Sequence, residues 1–78
     1  MAYPNPTSTG YVTLDMQEQY TSLEMSVHSI IGQRIIYQTY DQPKEKLSID
    51  LSGFSTGVYI INIVADGEPL PTQKIIRS

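Results

Sequence analysis

Ser55-Thr56-Gly57-Val58-Tyr59-Ile60-Ile61-Asn62-Ile63-Val64 is the longest β-favouring run in the chain. Val, Tyr and Ile dominate it, and such side chains fit a pleated, packed surface. Strand alternation sets Tyr59, Ile61 and Ile63 on one face and Val58, Ile60, Asn62 and Val64 on the other. Asn62 is the only polar member beyond the opening turn, and it lies on the second face. The Tyr59 face is therefore assigned to the core and the Val58 face to partial cover.

The Gly57-x-Tyr59 opening fits a tyrosine corner, in which a Tyr hydroxyl near a strand start bonds backbone a few residues upstream. The alternative is a plain core strand whose Tyr is merely bulky. Working outward, residues 47–51 alternate Leu47, Ile49 and Leu51 with Ser48 and Asp50, a half-buried strand. Ser52-Gly53-Phe54 then turns the chain, and Phe54, the only Phe, is placed at the end of the core. On the other side Asp66-Gly67 is a two-residue hairpin signal. Residues 70–77 return as the last strand, marked as an edge at its start by Pro69 and Pro71.

Earlier in the chain, residues 11–16 set Val12, Leu14 and Met16 against Tyr11, Thr13 and Asp15, and residues 23–28 set Leu23, Met25 and Val27 against Glu24, Ser26 and His28. Both read as half-buried strands. Ser29-Ile30-Ile31-Gly32-Gln33 suits a type I turn closed by a left-handed Gly. The strand after it, residues 34–40, offers apolar groups to both faces, so its inward set stays open. Residues 41–45 read as a loop. Tyr3-Pro4-Asn5-Pro6 allows only a short edge piece, because proline cannot donate to a ladder, and Thr7-Ser8-Thr9-Gly10 reads as a turn. A helix over residues 14–25 through Met16, Tyr20 and Leu23 competes, but two flanking alternating runs oppose it. The sum is one all-β domain over residues 1–78, an Ig-like antiparallel sandwich of about seven short strands.

At 78 residues there is room for a single core. With no Cys, neither a disulfide framework nor a thiolate metal site supplements it. The formal net charge of -3 comes without any basic cluster, which argues against a nucleic-acid partner. No apolar run reaches the roughly 20 residues of a helical span, and the N-terminus lacks the basic-then-apolar order of a signal peptide. Met1 directly before Ala2-Tyr3-Pro4 suggests a piece cut from a longer protein.

Catalytic chemistry finds no footing in the residues. His28, the only His, is on the polar side of a strand. Asp15, Glu24 and Asp50 face outward on separate strands, while Asp41, Glu45, Asp66 and Glu68 sit in or beside turns. No zinc spacing, calcium loop, phosphate-cradling Gly motif or nucleotide fingerprint is present. The expectation is a protein that is not an enzyme and takes no cofactor.

Four separated pieces carry a resemblance: Tyr3-Pro4-Asn5-Pro6, then Gly32-Gln33-Arg34-Ile35, then residues 51–61 around Gly57 and Tyr59, then Lys74-Ile75-Ile76. In order and spacing they resemble the C-terminal sorting domain of the type IX (Por) secretion system of Bacteroidetes-type bacteria. The resemblance implies a non-enzymatic signal that follows an N-terminal cargo domain. It also implies recognition in the periplasm, passage through the outer-membrane translocon with its shuttle, and removal by a sortase-like peptidase that leaves the cargo on the cell surface or secreted. By the same resemblance Gly57, Tyr59, Gly32 and Gln33 are structural motif positions, with Tyr3, Pro4, Asn5 and Pro6. Lys74, Ile75 and Ile76 match the family's terminal strand; with Arg77 they are the positions expected to be read by the machinery, Lys74 and Arg77 supplying charge to an acidic receptor and Ile75 and Ile76 lying one toward the core and one toward the partner. Arg77-Ser78 departs from the family pattern, in which the chain often stops on a Lys or a hydrophobic residue.

Two further expectations concern surfaces. The last strand, read as an open edge with an apolar side chain on each face, is expected to pair with a partner strand or with itself. A rival reading is an Ig- or fibronectin-like adhesion or carbohydrate-binding module, with Tyr11, Tyr20 and Tyr40 as stacking residues.

Overall fold

Alternating apolar residues need an apolar layer to face, and two sheets supply it to each other. A computed structural model of the chain describes residues 2–3 and 5–78. Pro4 of the Tyr3-Pro4-Asn5-Pro6 motif lies outside the described residues. One sheet holds β1 (Ala2–Tyr3), β2 (Tyr11–Asp15) and β5 (Lys46–Asp50), in the order β1-β2-β5. The other holds β3 (Ser22–Ser29), β4 (Arg34–Asp41), β6 (Gly57–Ala65), β7 (Glu68–Pro69) and β8 (Gln73–Arg77). Its order is β4-β3-β6, with β7 and β8 one after the other along the far edge of β6. Every named strand pair is antiparallel. This is the expected all-β sandwich.

The periodicity locates the core. Val12, Leu14, Leu47 and Ile49 face in from the first sheet, and Leu23, Met25, Val27, Tyr59, Ile61, Ile63 and Ile75 from the second. Val58, Ile60, Asn62 and Val64 are half-buried on the outer side, as the alternation requires. Residues 14–25 contain no helix.

Three local differences have physical causes. Eight strands form among the described residues, one more than expected, because the two-residue β7 pairs with β6 ahead of β8. The last strand is not continuous over residues 70–77. Leu70 donates a final bond to the Ile63 carbonyl at 2.9 Å, and the chain rejoins β6 only at Gln73. Pro69 and Pro71 lack the N–H groups that would carry the ladder across. In β4 the register shifts opposite Val27 and His28, which makes Ile35 an extra residue. Ile35 and Ile36 are therefore both half-buried, and alternation from Ile36 sends Ile36 and Tyr40 to the sandwich interior.

The turns follow their residues. Asp66 and Gly67 take φ of 51° and 83°, the left-handed pair of a type I′ hairpin. Gly32, at φ 90°, closes the β3–β4 turn, where its N–H donates to the Ser29 carbonyl and Ser29 N–H donates to the Gln33 carbonyl.

Candidate functional site

Alternation decides what β8 presents. Ile75 is fully buried opposite Tyr59, whereas Lys74 and Ile76 point outward, Ile76 opposite Val58 and 39% exposed. Arg77 shares the inner side with Ile75. Its Nε donates to the Leu51 carbonyl at 3.0 Å, Nη2 to the Ser52 carbonyl at 3.5 Å and Nη1 to the Ser78 carbonyl at 3.0 Å. Arg77 thus ties the end of β8 to the turn after β5. Arg77 is the residue of this set whose side chain bonds within the domain, so its guanidinium is held at the Leu51–Ser52 turn and not on the outward face with Lys74.

The outer side of β8 is covered. Backbone groups of Lys74, Ile76 and Ser78 point away from β6, and residues 5–7 meet them. The Asn5 amide donates from Nδ2 to the Lys74 carbonyl at 2.9 Å, and its Oδ1 accepts from Ile76 N–H at 3.0 Å. Thr7 continues as backbone, donating N–H to the Ile76 carbonyl at 2.8 Å and accepting from Ser78 N–H at 3.0 Å. A primary amide carries the donor and acceptor of a peptide group, so Asn5 acts as one rung of a parallel ladder and Thr7 as the next. Pro6, which has no N–H, sits between them where none is used. The reading of β8 as an open edge with unpaired backbone groups is corrected on this ground: residues 5–7 occupy the backbone positions through which the last strand was expected to pair with a partner or with itself.

Thr7 and Gly10 hold this strap, and sequence reading saw them only as members of a turn. Thr7 is 0% exposed. Its Oγ1 donates to the Tyr11 carbonyl at 3.0 Å and accepts from Gly10 N–H at 3.1 Å. Gly10 has φ 92°, and a Cβ there would lie 2.7 Å from Ser52 Cα and N. Only glycine passes so close to that backbone in that conformation.

Tyr59 forms the corner expected of it. Its hydroxyl donates to the Ser55 carbonyl at 2.5 Å, and the ring is 5% exposed in the core. Gly57 has φ 155° and pairs with Arg77, while Tyr59 pairs with Ile75. Gln33 reaches the same end of the sandwich, where it lines a groove of about 340 Å³ with Ile30, Ile31, Phe54 and the corner residues 55–59. The motif pieces that are scattered in the sequence therefore meet around one ladder, β6 on β8. Gly32 stands in the exposed turn at its rim, and Tyr3 pairs with Thr13 where the strap begins.

Two carboxylates serve turns. Asp66 accepts from Thr21 Oγ1 at 2.6 Å and from the N–H groups of Thr21 and Ser22, each at 2.9 Å. These bonds, the Thr21 hydroxyl foremost, hold its pKa below the ordinary carboxylate value. Asp50 is lowered in the same way by the Ser52 hydroxyl and N–H. No cluster of three metal-ligating side chains occurs among the described residues. His28 Nδ1 lies 3.1 Å from Asn62 Nδ2.

The stacking platform of an adhesion module does not assemble. Tyr11 is exposed on β2, but Tyr20 and Tyr40, from a loop and from β4 of the other sheet, pack against the core.

A family model described as the secretion system C-terminal sorting domain matches residues 1–78, the whole chain. The chain belongs to that family. Neither a curated protein nor a solved structure matches it. The sorting domain of this type IX system is a secretion signal, a family not known for catalysis. Membership implies a relation to the type IX secretion machinery and export across the outer membrane, to the cell surface or beyond. Within the sorting domain, the strap and β8 make one unit: the first and last motifs are bonded to each other.

Proposed function

We propose that this sorting domain directs an N-terminal cargo through the periplasm to the type IX translocon, and that the machinery reads β8 through the side chains of Lys74 and Ile76. The observation that carries this reading is the strap. With Asn5 and Thr7 bonded along the outer backbone of residues 74–78, the outward side chains are what β8 has left to offer. Ile76, beside Val58, supplies an apolar contact and Lys74 a cation for an acidic surface. The outer-membrane shuttle and the sortase-like peptidase are the proposed partners, and surface attachment or release of the cargo is the proposed outcome.

Deleting residues 74–78 is an ambiguous test, because it also removes fully buried Ile75 and unfolds the signal. Side-chain changes on the exposed face separate the two effects. In a cargo fusion expressed in a type IX-competent cell, Lys74→Glu and Ile76→Asp should each leave cargo in the periplasm, while Glu68→Lys should not. Lys74→Glu should keep its fold, since a charge swap at a solvated position moves stability by no more than ~0.5 kcal/mol; Ile76→Asp also gives up β-propensity and the contact with Val58, so circular dichroism of the isolated domain checks that its fold is kept. Normal surface delivery of both β8 variants would refute the reading.

A further inference from the structure

The sandwich has one long uncovered edge. β4 pairs only with β3 and runs for 8 residues. In the β3–β4 register Gln42 N–H donates to the Thr21 carbonyl, so the even positions Ile36, Gln38 and Tyr40 turn their backbone groups to β3. The groups of Tyr37, Thr39 and Asp41 point away from the sheet. Folded chains guard such an edge with Pro, Lys, shortness or a covering segment. The other edges here are guarded: β8 by the strap, β1 and β7 by their length of 2 residues each, and β5 by its length of 5 residues and by Lys44 and Lys46. Arg34-Ile35-Ile36-Tyr37-Gln38-Thr39-Tyr40-Asp41 has no Pro and no Lys, and among the described residues no strand besides β3 pairs with it.

We infer that β4 pairs antiparallel with β4 of a second copy of this chain, about a two-fold axis at Gln38. The backbone restricts the register. Outward-bonding residues must face outward-bonding residues, so an axis can fall on a residue but not between neighbours. With the axis at Gln38, Thr39 faces Tyr37 of the second copy and completes the ladder. On the interior side Tyr40 faces Ile36 of the second copy. These two residues border a cleft of about 280 Å³ between β4 and β5, with Gln38, Met25 and Ile49. An aromatic residue opposite a β-branched one is a stabilising cross-strand pair, and here it closes the mouth of that cleft twice.

Charge selects a second copy over an arbitrary strand. β4 begins with Arg34 and ends with Asp41, and neither has an ion-pair partner among the described residues. Arg34 lies over the Tyr37 ring at 4.8 Å, on the outer face that Asp41 shares by alternation. Antiparallel self-pairing brings the Arg34 end of each strand to the Asp41 end of the other. The strand is thus its own electrostatic complement.

Sedimentation equilibrium of the 78-residue chain, in a series reaching about 1 mM, tests this. Wild type should dimerise. Arg34→Asp and Asp41→Arg should each weaken the dimer by about tenfold, because two attractive pairs become repulsive, and the double variant should recover to within about threefold of wild type. Thr39→Pro, which removes an outward donor and leaves the β3 ladder intact, should abolish it, with circular dichroism checking the fold. A wild-type chain that stays monomeric to the top of the series overturns the inference. So does a dimer indifferent to these changes, or a double variant no tighter than the single ones.

Discussion

β8 and β4 bound the same five-stranded sheet, yet they solve the edge problem in opposite ways. β8 is short, follows two prolines, and has its outer backbone bonded to Asn5 and Thr7. β4 is longer, rich in Ile and Tyr, and leaves the outward groups of Tyr37, Thr39 and Asp41 without a neighbouring strand. The sorting domain therefore presents a side-chain surface at β8 and a backbone surface at β4. Recognition at β8 depends on which residues stand outward. Recognition at β4 depends on strand pairing.

Substitutions can break this contrast, and the largest effect is expected where the closed edge is anchored. Gly10→Val should cost at least about 3 kcal/mol, because the new side chain meets Ser52 backbone in a conformation that L-residues avoid. The strap and the turn after β5 cannot both keep their positions. A guanidinium midpoint within error of wild type would show that the strap does not need this close approach. Thr39→Ala on the open edge, measured in the same way on the monomer, is the control and should stay within about 0.5 kcal/mol.

The corner sharpens the comparison at smaller scale. Tyr59→Phe should lose about 1 kcal/mol through the bond to the Ser55 carbonyl, while Tyr37→Phe removes only the exposed bond to Glu24 and should lose less than about 0.5 kcal/mol. Equal losses for the two variants would mean that burial at the corner adds nothing.

Most of the fold is legible in local pattern because its determinants are local. The alternation around Tyr59, the Gly32 turn, the Asp66-Gly67 hairpin and the paired alternations of β2 and β5 each lie within a few residues. Composition also marks residues 3–6 as an edge piece, since two prolines permit little else. What it does not show is which edge. The Asn5 amide meets Lys74 from 69 positions away, and no local preference encodes that partner. For the same reason Thr7 looks like one more hydroxyl in a turn, although its backbone and side chain together hold β8, Gly10 and Tyr11. Arg77 misleads by its type: a cation at a chain end looks solvent-directed until alternation sets it on the inner side, facing the Leu51 and Ser52 carbonyls. The inward set of β4 stays open in the sequence because a bulge at Ile35 breaks the period on which such a reading depends.

Amide hydrogen exchange at low protein concentration compares the two edges most directly. Ile76 N–H is bonded to Asn5 Oδ1, while Tyr37 and Thr39 N–H point to solvent. One edge hydrogen bond of about 1 kcal/mol should slow Ile76 roughly fivefold relative to Tyr37 and Thr39. Asn5→Ala should remove that difference at Ile76 while Ile61 in the core keeps its protection. Ile76 exchanging as fast as Tyr37 and Thr39 in the wild-type chain would mean that the strap does not close β8, and would contradict the account.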